Sequence, residues 1–389
     1  MRIVYHHRTR GTDAQIIHVL EIVRSLRELG HHVELVSLFR PKTKQDDAQA
    51  NAKEASWKRV TRRLPFSYEI VQIGYNLVGL PLLIYKLLTT KADCLYERYA
   101  LFNFSGVLAA RLLRLPVILE VNSPFAIEQS RDADIRMVRF AIWSERIICN
   151  WASKVVAVSG VLRDILAKEM RVSPDRIQVL LNGVNLDRFR NQEPDSGLRE
   201  SLGLKGKTVI GFVGWFRNWH GLSSLLESFH EENFASRGAA LLMVGDGPAR
   251  RALDDYIRRN EVPGVVFTGP VPNERVPALL GLIDIAVQPA ANEYCCPMKI
   301  LEYMALGKAV IAPDQTNIRE LLQHERNGLL FEPNSRSGMT NAIRSLLEDA
   351  ERRRMLGKRA SQTIVDRNLS WEHNAEAVLA LIRASRDVS

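Results

Sequence analysis

Short apolar runs alternate with longer amphipathic stretches along this chain. Arg2 to His6 reads as a strand, Gln15 to Leu29 as a helix ended by Gly30, and Val33 to Ser37 as a second strand, which together make a parallel crossover unit. Cys94 to Glu97, Val117 to Val121 and Val155 to Val158 continue the series as buried strands with helical stretches between them. A second series follows Asn182, with strands at Val209 to Val213, Ala240 to Val244, Val265 to Thr268, Ile283 to Gln288 and Ala309 to Ala312. Helices such as Leu222 to Phe229 and Ala249 to Arg259 separate them. Alternation of this kind predicts an α/β fold with doubly wound sheets.

At 389 residues the chain exceeds what one hydrophobic core usually serves, so two domains are expected. The pattern divides it into residues 1–182, residues 183–365 and a tail 366–389, helical but broken near Leu369 to Trp371. A hydrophobic content of 46% with 25% charged residues is that of a soluble globular protein. Cys94, Cys149, Cys295 and Cys296 show no metal-ligand spacing, which disfavours zinc and disulfide scaffolds and fits a reducing cytoplasm. The start, MRIVYHHRTRGTD, lacks the apolar centre of a secretory signal.

The net charge of +9 calls for a partner. Nucleic acid is not expected, because zinc-finger, RNP-like and lysine-rich tail signatures are all missing. Peripheral contact with an anionic membrane is the better candidate, against a merely solvated basic face: Lys53, Lys58, Arg59, Arg62 and Arg63 surround Trp57, ahead of a charge-free run from Ile70 to Tyr85. That run is too short to span a bilayer and is expected in the domain interior.

The richest stretch is ANEYCCPMKILEYMALGKAVIAPDQTNIRE, from Ala291 to Glu320. Pro297 suits the first turn of a helix, and Gly307 suits its end. A helix start exposes unpaired N–H groups and partial positive charge, so the amides near Pro297, Met298 and Lys299 can hold a phosphate. Lys299 opposes the helix dipole there unless an anion offsets both. Glu302, further along, is placed to accept from sugar hydroxyls. A surface helix with a snorkelling lysine is the plain alternative.

This segment resembles the donor-binding signature of the retaining family-4 glycosyltransferases, in which two glutamates eight positions apart run into a LEAMA-like helix and a small-residue strand. LEYMALGKAVIA supplies the second glutamate as Glu302, and Asn317 with Glu320 matches the later element. Tyr294 stands at the register of the first glutamate, and Glu293 one residue before it. VGDGP at Val244 to Pro248, LLNGVNLDRF at Leu180 to Phe189 and GLLFEP at Gly328 to Pro333 extend the similarity along the chain. It implies the glycosyltransferase-B architecture: two Rossmann-like domains facing across a cleft, the second holding the nucleotide sugar, and the tail crossing back onto the first.

Further candidates follow by position. Gly11, between the first strand and first helix, allows close approach of a phosphate or acceptor sugar, where the family carries a glycine-rich loop. Glu97, Arg98, Glu120 and Asn122 lie at strand ends, as hydroxyl binders or as structural ion pairs. In GFVGWFRNWHG, Trp215 and His220 occupy the registers of the family's diphosphate-binding arginine and lysine, so Arg217 and His220 are the expected phosphate contacts. The alternative is a packed corner of Trp215, Phe216 and Trp219 with Arg217 stacked on it. Gly245 and Asp246 form a turn bordering the base. Asp132 to Asp134 spells Asp-x-Asp in a charged stretch with no strand before it, and no bound metal is expected there.

The resemblance thus implies a metal-independent, retaining hexosyltransferase of glycan or glycolipid biosynthesis, and the cysteines and basic cluster add the expectation of a cytoplasmic protein that can contact the inner membrane face. It needs no cofactor beyond its nucleotide-diphosphate sugar substrate and acts on a glycan or lipid-linked acceptor. Glu293, Arg217 and His220 are its candidate catalytic residues. A nucleotide-sugar 2-epimerase on the same architecture and a catalytically silent partner in a polysaccharide assembly complex remain as rivals.

Overall fold

A computed structural model of the chain describes residues 1–9, 14–38, 66–131, 135–189 and 195–386. Gly11, the basic cluster from Lys53 to Arg63 and the Asp132 to Asp134 motif lie outside them. The chain forms two compact units, Met1–Leu181 with Trp371–Ser389, and Asn182–Ser370.

The first unit carries strands β1 (Arg2–His6), β2 (His32–Val36), β3 (Cys94–Arg98), β4 (Val117–Val121), β5 (Lys154–Ala157) and β6 (Ile177–Val179), in the order β2-β1-β3-β4-β5-β6. Every pairing is parallel. Its core packs Ile3, Tyr5, Tyr96 and Ile118 against Val19, Ile22 and Leu26 of helix α1 (Ala14–Glu28). Ala375, Val378 and Ile382 of the last helix, Trp371–Arg386, complete that layer. The Trp371 ring lies 4.7 Å from His18, and Asn374 donates to the Leu181 carbonyl at 2.8 Å.

Of the strand-end residues, Glu120 takes the structural role. It is buried, and it accepts from the Tyr96 hydroxyl at 2.7 Å, Arg98 at 2.7 Å and Asn122 at 2.6 Å, with His18 Nε2 at 3.0 Å. Burial alone raises its pKa, but His18, Arg98 and Tyr96 outweigh it and hold the carboxyl well below the usual range. Glu97 is likewise enclosed, with His6 at 2.6 Å and Asn103 donating at 2.9 Å.

The charge-free run belongs to helix α2 (Ser67–Thr90), and here the expectation of a domain interior is overturned. Glu69, Tyr75, Gly79, Leu83 and Leu87 are buried, but Ile70, Leu77, Val78, Tyr85 and Leu88 on the opposite face are exposed. A run apolar on every face carries no periodicity from which its outer side can be read.

The second unit carries β7 (Thr208–Val213), β8 (Ala239–Val244), β9 (Val265–Gly269), β10 (Ile285–Val287), β11 (Ala309–Pro313) and β12 (Leu329–Phe331), ordered β12-β11-β10-β7-β8-β9 and again all parallel. The chain proceeds one way from β7 and the other way from β10, so the carboxyl ends of these two strands form a topological switch point, where such sheets open a crevice for ligands. β6 and β12, each three residues long, went unread in the sequence.

Replacing Glu120 with Ala leaves buried Arg98 and His18 without their anion, a loss of roughly 3–5 kcal/mol. Calorimetry should show an early unfolding transition in this variant. Because the native carboxyl titrates below its unfolded value, its stabilisation is complete above the ordinary carboxylate range. It is lost only as pH falls through the lower folded pKa, and Glu120→Gln should remove that acid-side dependence.

Candidate functional site

The switch point of the second unit gathers three loops, and their backbones determine where the side chains go. The loop after β7 turns at Gly214, at φ 137°, and the loop after β8 turns at Gly245, at φ 122°. They are stitched together by hydrogen bonds from Gly214 N to Val244 O at 3.0 Å, Phe216 N to Asp246 O at 2.7 Å and Ala249 N to Phe216 O at 2.9 Å. A Cβ on Gly245 would stand 2.1 Å from Gly214 O, so glycine is required for this approach. The Asp246 carboxylate accepts from Gly247 N at 2.8 Å, closing the turn.

The third loop leaves β10 and runs from Gln288 to Pro297, where helix α3 (Met298–Ala305) begins. Pro297 is the residue before the helix rather than within its first turn; its carbonyl accepts from Ile300 N at 3.1 Å. At the far end Gly307 N bonds Met304 O at 2.9 Å and Lys308 N bonds Tyr303 O at 3.0 Å, with Gly307 at φ 63°, a Schellman stop. Tyr303 is fully buried and its hydroxyl accepts from Val213 N at 2.9 Å, which fixes α3 to the end of β7.

Side-chain amides hold the third loop. Asn317 donates to Asn292 O at 2.9 Å and Cys295 O at 2.7 Å, Gln315 to Ala291 O at 3.2 Å, and Asn182 to Cys296 O at 2.7 Å. All three lie in segments whose similarity was visible beforehand, but their partners were not: Asn182 reaches Cys296 across a separation that no local pattern reports.

The charged groups converge on Lys299. Its ammonium lies 4.1 Å from the centre of the Phe212 ring and 3.4 Å from His220 Nε2, and a Cβ on Gly214 would come 3.2 Å from Nζ. Burial pushes Lys299 down to about 7; Cys295 and Glu302 pull it up, and Arg217 pushes it down. His220 is buried, and burial, Lys299 and Arg217 drive it down to about 2, so it is neutral. His220, expected as a phosphate contact, faces Lys299 with one ring nitrogen.

Among the described residues, neither Met298 nor Lys299 donates its backbone N–H to another protein group. Two unpaired amides, a helix dipole and a half-buried cation therefore point positive charge at one place, the requirement for holding an anion.

The other candidates are distributed around this point. Arg217 caps the 3-10 turn Asn218–His220 and is half-buried. Phe216 is buried while Trp215 and Trp219 are exposed, so the three rings do not make a packed corner. Glu302 sits one turn into α3, Tyr294 receives a hydrogen bond from Asn292 at 3.1 Å, and Glu293 is exposed on the loop. Among the described residues, no cluster of three metal-binding side chains occurs.

Comparison with known proteins agrees with this geometry. Residues 16–188 match the sequence model described as Glycosyltransferase Family 4, and residues 207–349 match that of Glycosyl transferases group 1. Alpha-D-kanosaminyltransferase of Streptomyces kanamyceticus is 25% identical over 66% of this chain and 68% of its own length. The GDP-mannose-dependent alpha-mannosyltransferase of Mycolicibacterium smegmatis is 27% identical over 86% of this chain and 85% of its own. In fold, the chain is similar to Anabaena HepE crystallised with UDP, with a TM-score of 0.73 at 17% identity over 99% of this chain and 100% of that one.

Asn317→Ala removes two hydrogen bonds on the third loop and should lower stability by about 1–3 kcal/mol. Cys295, whose thiol packs at 3.2 Å from Asn292 O, should then react faster with a thiol reagent than in the parent chain, as mass spectrometry would record.

Proposed function

The chain belongs to the family-4 glycosyltransferases of glycosyltransferase-B architecture, and from that premise we propose that it transfers a hexose from a nucleotide-diphosphate sugar, with retention of anomeric configuration and without a metal ion. The acceptor is a hydroxyl of a glycan or lipid-linked saccharide. The observation that carries this reading is the convergence of the open Met298 and Lys299 amides and the Lys299 ammonium at the start of α3.

Cleavage of the sugar–phosphate bond sends negative charge onto the departing diphosphate, and the enzyme's task is to meet it with groups already in place. In this reading the Met298 and Lys299 amides and the Lys299 ammonium grip the diphosphate, with Arg217 adding a second cation. His220 is a positioning residue that keeps the ammonium aimed. Glu302 accepts from the ribose hydroxyls. Glu293 and Tyr294 orient the transferred sugar from a loop whose carbonyls Asn317, Gln315 and Asn182 hold fixed. The Gly245–Asp246 turn borders the base. An acceptor oxygen approaching on the face that the phosphate leaves gives retention, with the departing phosphate oxygen as proton acceptor.

Lys299 supplies a pH signature. A diphosphate binds the ammonium form, so affinity for a nucleotide diphosphate should decline as pH rises past about 7, approaching tenfold per pH unit. Calorimetric titration checks this; Lys299→Arg should flatten the profile, and Lys299→Met should bind weakly at every pH. An unchanged profile in Lys299→Met would remove the lysine from the phosphate site.

In a second test, Glu302→Ala is expected to weaken nucleotide binding and reduce transfer by roughly a hundredfold or more, without a matching loss of melting temperature. Parental activity in that variant would refute the ribose assignment.

A further inference from the structure

The loop from Gly214 to Gly221, GWFRNWHG, sends its ring side chains to two destinations. Phe216 and His220 are buried, whereas Trp215 and Trp219 are 42% and 45% exposed. Tryptophan is a residue that folds normally cover, and two half-open indoles within five positions depart from the scatter of single apolar residues found on any surface.

The backbone that carries them is pinned at both ends. Gly214 N bonds Val244 O at 3.0 Å, and at Gly221, with φ 70°, an added Cβ would stand 3.3 Å from both Pro289 Cβ and Ala290 Cβ. The two tryptophans therefore have different neighbours. Trp215 lies between Gly214 and Phe216, whose amides bond Val244 and Asp246, so it belongs to the side of the β8 loop. Trp219 belongs to the other side, where Gly221 meets the start of the loop that leads to Glu293 and Tyr294. Its ring centroid is 4.1 Å from that of His220, and His220 Nε2 is 3.4 Å from the Lys299 ammonium. One indole is thus held at a single remove from the cation, on a braced backbone.

An indole on a fixed backbone offers a flat apolar surface at little cost in conformational entropy. Its face carries the negative part of the ring quadrupole and attracts weakly positive C–H groups. A hexose suits such a surface, because its hydroxyls lie around the rim of the ring and its C–H bonds point from the faces. A nucleobase is the other flat candidate. In the donor reading it belongs to the Gly245–Asp246 turn, on the side of Trp215.

We propose that Trp219 selects the transferred sugar, stacking its exposed indole surface on the C–H face of the hexose while Lys299 holds the diphosphate. This deepens the donor reading given above and rests on it. The contact is made to the sugar alone, so it contributes to affinity for the sugar nucleotide and not for the nucleoside diphosphate.

The test is calorimetric titration of the full-length chain with UDP, GDP and ADP, and with UDP-glucose, UDP-galactose, GDP-mannose and ADP-glucose. For the nucleotide that the parent binds, Trp219→Ala should lower affinity for the hexose conjugate by roughly three- to tenfold and leave affinity for the bare diphosphate at the parental value. Trp219→Phe, which keeps an aromatic face, should retain most of the parental affinity. Trp219→Leu, which keeps apolar contact with His220, should behave as Trp219→Ala does. Equal losses for diphosphate and conjugate would overturn the proposal and make Trp219 a support for His220 and Lys299. Parental affinities in Trp219→Ala would overturn it too, as would a parent that binds a diphosphate but none of its hexose conjugates. A parent that binds no nucleoside diphosphate at all would overturn the donor reading, and this proposal with it.

Discussion

The second unit depends on one local constraint: a half-buried lysine held at the start of a helix, with Cys295 and Glu302 favouring its charge and the rest of its surroundings opposing it. Burial disfavours its charge, the helix dipole disfavours it again, and Arg217 adds repulsion. What keeps Lys299 in place is softer, the face of Phe212 and a neutral histidine nitrogen. In the proposed reading, an incoming dianion reverses these signs at once. The ammonium regains its proton, the dipole acquires a partner, and the two amides of Met298 and Lys299 find acceptors. Binding energy is stored as unmet electrostatic demand rather than as preformed contacts, which favours the ligand state carrying the most negative charge.

The backbone around that lysine explains why its neighbours are glycines and amides. Gly214 leaves room for the Lys299 ammonium, and Gly245 lets the next turn touch the Gly214 carbonyl. A larger residue at either position would separate β7's loop from β8's and enlarge the place where the cation lies. On the other side the loop from Gln288 to Pro297 has no strand partner, so its carbonyls need donors. Asn317, Gln315 and Asn182 supply them with neutral groups, adding no charge that would compete with the site's own field. The Tyr303 bond to Val213 joins the two sides at the point where β10 stops pairing with β7.

Much of this was legible before any coordinates. Long apolar strands and capped helices write their period into the sequence, so ten of the strands and the helix from Met298 to Ala305 could be read locally. Pro297, Lys299, Glu302 and Gly307 were legible for the same reason: cap chemistry is a short-range rule. What escaped were relations across distance. That His220 would face Lys299, seventy-nine positions away, or that Asn182 would bond Cys296 across one hundred and fourteen, follows from strand order, which no window contains. The outer face of α2 escaped for a different reason. Its two sides are equally apolar, and composition cannot say which of them the fold covers.

The two positive features of this chain are physically distinct, and the difference bears on what each can do. Charge in the sequence ahead of α2 is multiple, and on a surface its reach is limited by salt to about 8 Å at physiological ionic strength. Charge at Lys299 is single and half-buried, and with a pKa of about 7 it is only partly present at neutral pH. The first kind suits attraction to an extended anionic sheet, where each cation adds a little and position matters less. The second suits recognition of one compact dianion, where geometry decides. The basic balance of the chain is therefore no measure of the proposed phosphate site: removing Lys299 would scarcely alter a net charge of +9 yet would take from that site its central cation.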